Sequence, residues 1–204
     1  MSLKPILFNT EMVRTLIEGR KTVTRRVVKP QPEGRPVPMP ADSCWPGYFA
    51  IQGTERVVRP PYQHGDVLYV RETWAKNPFG EGYIYPTEVA GAGQKWRPSI
   101  HMPRKAARIF LRVTSVRVER LQAITEEDAK AEGAEKMHPC TDPETGKTAF
   151  LLHENGTYRA GFSQIWDSTI PKRPSLFERY LYYWEYNPWV WVIEFERIEK
   201  ELVK

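Results

Sequence analysis

Cysteine is scarce in this 204-residue chain: Cys44 and Cys140 are the only two. That is too few for a disulfide framework, and neither belongs to a C-x-x-C pair, so reduced thiols are expected. His138, Cys140 and His153 match the spacing of no recognised zinc finger or ribbon, and no metal is expected. Long hydrophobic runs are missing as well. No stretch approaches the ~20 apolar residues that cross a bilayer, and no apolar run follows the first lysine; a cytoplasmic protein with no membrane partner is the expectation. A glycine-rich phosphate loop is absent, which argues against a doubly wound nucleotide-binding fold.

Proline, in contrast, is abundant, with 18 residues against 13 glycines. Such a balance makes stiff connecting segments rather than flexible linkers. The prolines cluster and locate three insertions, at about 30–64, 75–103 and 135–157, within a chain whose length fits one domain over 1–204.

The net charge of +5 is unevenly distributed. Between Gln94 and Arg120, the bases Lys95, Arg97, Arg104, Lys105, Arg108, Arg112, Arg117 and Arg120 face Glu119 alone, whereas Leu121 to Ala160 is acidic. Segregation of this kind points to a polyanionic partner.

Asn9 or Thr10 is placed to cap a helix in which Met12, Val13, Leu16 and Ile17 form an apolar stripe, with Gly19 to end it. A strand is expected within Lys21 to Val28, after which Pro30, Pro32, Pro36, Pro38 and Pro40 exclude regular structure. Gly65-Asp66 reads as a turn into a strand with Leu68, Val70, Glu72 and Trp74 on one face, so Glu72 sits on the more apolar side. Further on, the alternation of Ile109, Leu111 and Val113 changes parity at Val116 and Val118, as a bulge near Thr114-Ser115 would require. Thr125 with Asp128 opens a second helix that Gly133 can stop, a third runs around Arg159 to Ser168, and a strand covers Trp189 to Arg197. Separated strands, two or three short helices and one parity break point to an α+β fold built on a small mixed barrel.

The segment Gly19-Arg20-Lys21-Thr22-Val23-Thr24-Arg25-Arg26 follows the first helix directly. A threonine hydroxyl is a poor nucleophile until a base takes its proton, and an amine held in a dry pocket can be that base. On this reading Lys21 is the base and Thr24 the nucleophile. Glu72, on an apolar face, must be paired or protonated. If ionised and touching Lys21, it stabilises the ammonium form and makes that lysine a worse base. Two assignments avoid the conflict: a protonated Glu72 as acid, or an ionised Glu72 as base with Lys21 stabilising the oxyanion. The residues leave both open. Without catalysis, Lys21 is one more phosphate-binding cation, Thr24 a strand or turn residue, and Glu72 the buried partner of Arg25, Arg26 or Arg71.

The same residues carry a family resemblance. Gly19, Lys21, Thr24 and Arg26 match the G-x-K-x-x-T-x-R signature of the ASCH domain, a branch of the PUA-like barrels, and Gly65-Asp66 leading into Leu68-Tyr69-Val70-Arg71-Glu72 resembles the family's second motif. Arg71-Glu72-Thr73-Trp74, Pro98 to Pro103 and Asn187 to Trp191 look like a larger ASCH subgroup common in phages and prophages. The match covers the barrel elements and omits the three insertions.

The resemblance implies a small mixed PUA-like β-barrel with two or three short flanking helices, and a pocket for RNA or a modified cytidine nucleoside or nucleotide. Some compact ASCH proteins are amide hydrolases that remove the acyl group from the exocyclic nitrogen of acetylated cytidine with a lysine, a threonine and a glutamate; Lys21, Thr24 and Glu72 stand at the matching positions, and no cofactor is implied. Arg20, Arg25, Arg26, Tyr69, Arg71, Trp74, Arg104 and Lys105 are the candidate nucleic-acid or substrate contacts. Tyr69 and Trp74 have a competing reading as core. The alternative function is an RNA-binding module without turnover, with Arg25, Arg26, Arg104, Lys105 and Arg108 gripping phosphates. A third is metal-independent cleavage of RNA, in which a base and a cation assist attack by the ribose hydroxyl.

Overall fold

In a computed structural model, the described residues are 3–89, 94–141, 148–170 and 181–200. In chain order they form β1 (Leu3–Leu7), α1 (Thr10–Ile17), β2 (Val23–Val27), β3 (Pro36–Pro38), β4 (Phe49–Ile51), β5 (Val57–Val58), β6 (Val67–Arg71), β7 (Ala75–Lys76) and β8 (Tyr83–Ile84). There follow β9 (Phe110–Arg120), α2 (Glu126–Ala131), β10 (Met137–Thr141), β11 (Thr148–Leu152), α3 (Tyr158–Thr169) and β12 (Trp189–Ile198). The fold is α+β, with strands in several sheets, and no closed barrel is found among the described residues.

By its contacts the chain divides into two compact units, each assembled from separate segments. The first comprises Met1–Thr22, Tyr62–Ser115 and Glu194–Lys204; the second comprises Val23–Pro61 and Val116–Ile193. Both β9 and β12 contribute residues to each unit. The boundary after Ser115 falls where the hydrophobic alternation changes parity.

In the first unit β1 runs parallel to β6, with Leu3 opposite Val67 and Leu7 opposite Arg71, and β6 pairs antiparallel with β9, Tyr69 opposite Phe110. The Asp66 carboxylate closes the turn into β6 by accepting from Gln63 N at 2.9 Å and from Lys4 Nζ at 2.6 Å. Helix α1 begins as the sequence requires: Asn9 Oδ1 accepts from Met12 N at 2.8 Å, and Gly19 takes φ +74° just beyond its end. Val13 and Leu16 of the expected stripe are buried, but Ile17 at its margin is exposed. A separate apolar cluster gathers Trp74, Tyr85, Met102, Ala106, Ala107 and Phe110.

In the second unit Val23, Leu121, Ile124, Phe162, Trp166, Val190 and Val192 make the core. Thr125 caps α2 through Asp128 N at 3.0 Å, and Gly133 at φ +86° stops it. Glu126 then reaches across to the exposed amides of α3, accepting from Tyr158 N at 2.7 Å and from Arg159 N at 3.3 Å.

The insertions are not irregular. The second holds the β7–β8 hairpin and the third the β10–β11 hairpin. In the first, β3, β4 and β5 form a three-stranded antiparallel sheet, so the prolines do not exclude a strand there. Gln52 N donates to Arg35 O and Met39 N to Tyr48 O, which sets the hydrogen-bonded pairs at every second residue and leaves Pro36 and Pro38 at the positions between, where no N–H is needed.

Gly161 provides a check on how α3 is seated. Replacing an interior helical glycine by alanine ordinarily gains roughly 1 kcal/mol. A Cβ at Gly161, however, would lie 2.0 Å from the Glu135 carbonyl oxygen. Gly161→Ala is expected to lower the urea midpoint by the equivalent of ~1–3 kcal/mol; a raised midpoint would show that α3 does not pack on Glu135.

Candidate functional site

Glu72 directly follows β6, and the strand's alternation carries it to the same side as Leu68, Val70 and Trp74, all of them buried. Only 2% of it is exposed. An isolated carboxylate there would be prohibitively costly, and Arg108 supplies the partner. Arg108 Nε donates to Glu72 Oε1 at 2.9 Å and Nη2 to Oε2 at 2.8 Å, a two-bond fork that matches guanidinium to carboxylate. Both Glu72 oxygens therefore act as acceptors. The Glu72 N–H donates to Met102 Sδ at 3.2 Å.

Arg108 is held from several sides. Nη2 also reaches Thr87 Oγ1 at 2.6 Å, Nη1 donates to Glu88 Oε1, and the guanidinium lies 4.0 Å from the centroid of the Tyr85 ring. Burial alone would lower the Arg108 pKa, but hydrogen bonding to Glu72 and the charges of Glu72 and Glu88 carry it above the ordinary arginine value. The Tyr85 hydroxyl donates to Ala106 O, and burial, reinforced by the charge of Glu72, pushes its pKa up to about 12.

Arg108 also lines a pocket of about 450 Å³, with Arg197, Ile198, Glu199 and Lys200. Arg197 and Lys200 are exposed and enter no ion pair among the described residues.

Lys21 belongs to the same unit and is 2% exposed, its Nζ 5.6 Å from the Phe8 ring centroid. Phe8 leads back towards Glu72, because its N–H donates to Arg71 O at 3.1 Å. Arg71 donates through Nη2 to Ile100 O and keeps a buried Nε without a partner among the described residues. Trp74 is core: it is buried, meets Tyr83 edge-on at 5.4 Å and has Arg97 5.3 Å from its ring. Tyr69 packs against the same cluster. Arg20 is exposed and pairs with Glu18, while Arg104 and Lys105 lie exposed on a single 3₁₀ turn.

In the second unit Thr24 is 1% exposed. Arg25, expected to contact nucleic acid or substrate, has no exposed side-chain surface. Its Nη2 is 2.6 Å from Asp128 and 3.6 Å from Glu119, and its Nη1 is 3.4 Å from Glu132. Arg117 braces the cluster, reaching Glu119 at 2.6 Å and Asp128 at 3.0 Å. Arg26 is half-buried and lines a pocket of about 250 Å³ with Lys29, Trp166 and Tyr182.

The structure thus corrects the partner of Glu72, which is none of Arg25, Arg26 and Arg71 but Arg108, a residue expected to grip phosphate. Nothing in the sequence pairs positions 72 and 108 across a 36-residue gap. Arg197, Lys200, Lys29, Trp166 and Tyr182 were missed for the same reason: no local pattern marks them as pocket residues. His138 and His153 lie 5.9 Å apart by ring centroid, and no group of three potential metal ligands occurs among the described residues. Nor is any described helix long and apolar enough to cross a membrane. Comparison with protein-family models, curated proteins and solved structures finds no match to this chain.

The raised pKa of Tyr85 has a measurable sign. Below pH 10 the ring is neutral whether folded or unfolded; between about 10 and about 12 only the unfolded form ionises, so stability falls as pH rises through that window. In an ultraviolet titration the difference between wild type and Tyr85→Phe should develop near pH 12. A difference centred near pH 10 would mean that Tyr85 is not buried against Ala106.

Proposed function

We propose that this chain binds RNA or a modified pyrimidine nucleoside through the polar pocket of its first unit, as an ASCH-type protein of the PUA-like class. The observation that carries the reading is that pocket itself, of about 450 Å³ and lined by three cations and one carboxylate. Its volume lies within the usual range for small-ligand sites, roughly 300–1,000 Å³. Arg108 is immobilised there by Glu72, so its orientation needs no reorganisation when a ligand arrives, while Arg197 and Lys200 supply charge for a phosphate.

A second reading is amide hydrolysis at the exocyclic nitrogen of acylated cytidine, with Lys21 and Glu72 of the first unit in the roles that the resemblance implies. What favours it is that both ionisable side chains are withdrawn from solvent, each only 2% exposed.

Binding is tested by titrating labelled single-stranded RNA at several salt concentrations. Each phosphate contact contributes about −0.7 to the slope of log affinity against log salt. The double variant Arg197→Glu, Lys200→Glu should weaken binding at least tenfold and flatten that slope by about 1.4. Wild-type behaviour of this variant would remove the pocket from the reading. For hydrolysis, purified protein is incubated with acetylated cytidine. Release of cytidine by wild type but not by folded Lys21→Ala is expected, and full turnover in that variant refutes the assignment.

A further inference from the structure

The second unit holds a cavity that differs in character from the one just assigned. Arg26 and Lys29 line it together with Trp166, Thr169, Ile170 and Tyr182, and no carboxylate is among its lining residues. At ~30 Å³ per water, its volume of about 250 Å³ holds about eight waters. A space lined by both aromatic rings and cations suits a planar group joined to an anion.

The walls are built rather than incidental. Trp166 Nε1 donates to Tyr182 O at 2.7 Å, and Trp166 packs against Phe162, fixing the indole. The Lys29 ammonium is 4.9 Å from the Tyr182 ring centroid, so cation and ring are presented together. Arg25, at the inner side, has its Nη groups committed to Asp128, Glu119 and Glu132. The cavity also meets the carbonyl end of α3, whose dipole disfavours anions. That opposition is blunted, because Thr169 Oγ1 bonds Trp166 O at 2.7 Å and Ile170 N bonds Asp167 O at 3.3 Å.

We infer that this cavity takes one nucleotide of a single-stranded RNA, its base against Tyr182 and Trp166 and its phosphate on Lys29 and Arg26. The inference rests on the reading that this chain binds RNA and narrows it from a free nucleoside to a nucleotide within a strand.

The test measures fluorescence anisotropy of a labelled 12-nucleotide oligouridylate against wild type, Lys29→Glu, Tyr182→Ala and Tyr182→Phe, with the deoxy oligonucleotide and free uridine monophosphate as competitors. Stacking is worth about 1–3 kcal/mol per base, so Tyr182→Ala should weaken binding roughly 5- to 150-fold, with Tyr182→Phe close to wild type. Lys29→Glu should weaken it at least fivefold and flatten the salt slope by about 0.7. Wild-type affinity in both Lys29→Glu and Tyr182→Ala overturns the inference, as does a Tyr182→Phe variant as weak as Tyr182→Ala. If these second-unit variants are silent while Arg197→Glu, Lys200→Glu loses binding, only this inference falls. The reverse pattern upholds it and overturns the first-unit reading, and no wild-type binding of the oligonucleotide overturns both.

Discussion

A carboxylate buried at the end of β6 makes demands that much of the first unit answers. Glu72 is only 2% exposed, and such a position is tolerable only with a full complement of donors. Arg108 supplies two of them, and it is itself steadied by Tyr85, Thr87 and Glu88. Tyr85 ties back to Ala106, and Met102 receives the Glu72 amide. The segment from Ala75 to Pro103, which interrupts the regular strands, is thereby fastened at its middle and at its end around one ion pair.

The same logic redistributes charge. In sequence, the run from Lys95 to Arg120 is almost wholly basic, yet folding brings carboxylates from elsewhere to three of its arginines: Arg108 meets Glu72 and Glu88, Arg112 meets Glu196, and Arg117 meets Asp128. Segregation along the chain is thus not segregation in space. The exposed cations outside such pairs include Arg104, Lys105, Arg197 and Lys200, the last two from the end of the chain rather than from the basic run.

What could be read in advance was local. The Asn9 and Thr125 caps, the glycine stops at Gly19 and Gly133, and the face shared by Leu68, Val70, Glu72 and Trp74 all depend on residues within a few positions of one another, where backbone geometry leaves few choices. The burial of Glu72 followed from that face. Its partner did not, because ion pairing between distant positions depends on how strands are brought together. Trp74 and Tyr69 show the limit in another way: strand spacing is the same for a stacking platform and for a core, and here both pack into the core cluster. The pocket residues Lys29, Trp166 and Tyr182 come from a bend beyond β2, a helix and a turn, with no spacing in common.

The alternating prolines of β3 carry one more consequence. β3 is an outer strand of its sheet, and Pro36 and Pro38 occupy the positions whose backbone nitrogens face away from β4. On the open side of that strand, both nitrogens that would otherwise offer a donor belong to proline rings. A neighbouring chain approaching this rim would find carbonyl oxygens but no matching N–H groups at these two positions, and could not complete a ladder. The segment that looked least able to fold as sheet is therefore poorly suited to recruit further strands, and aggregation through this rim is blocked by the backbone itself.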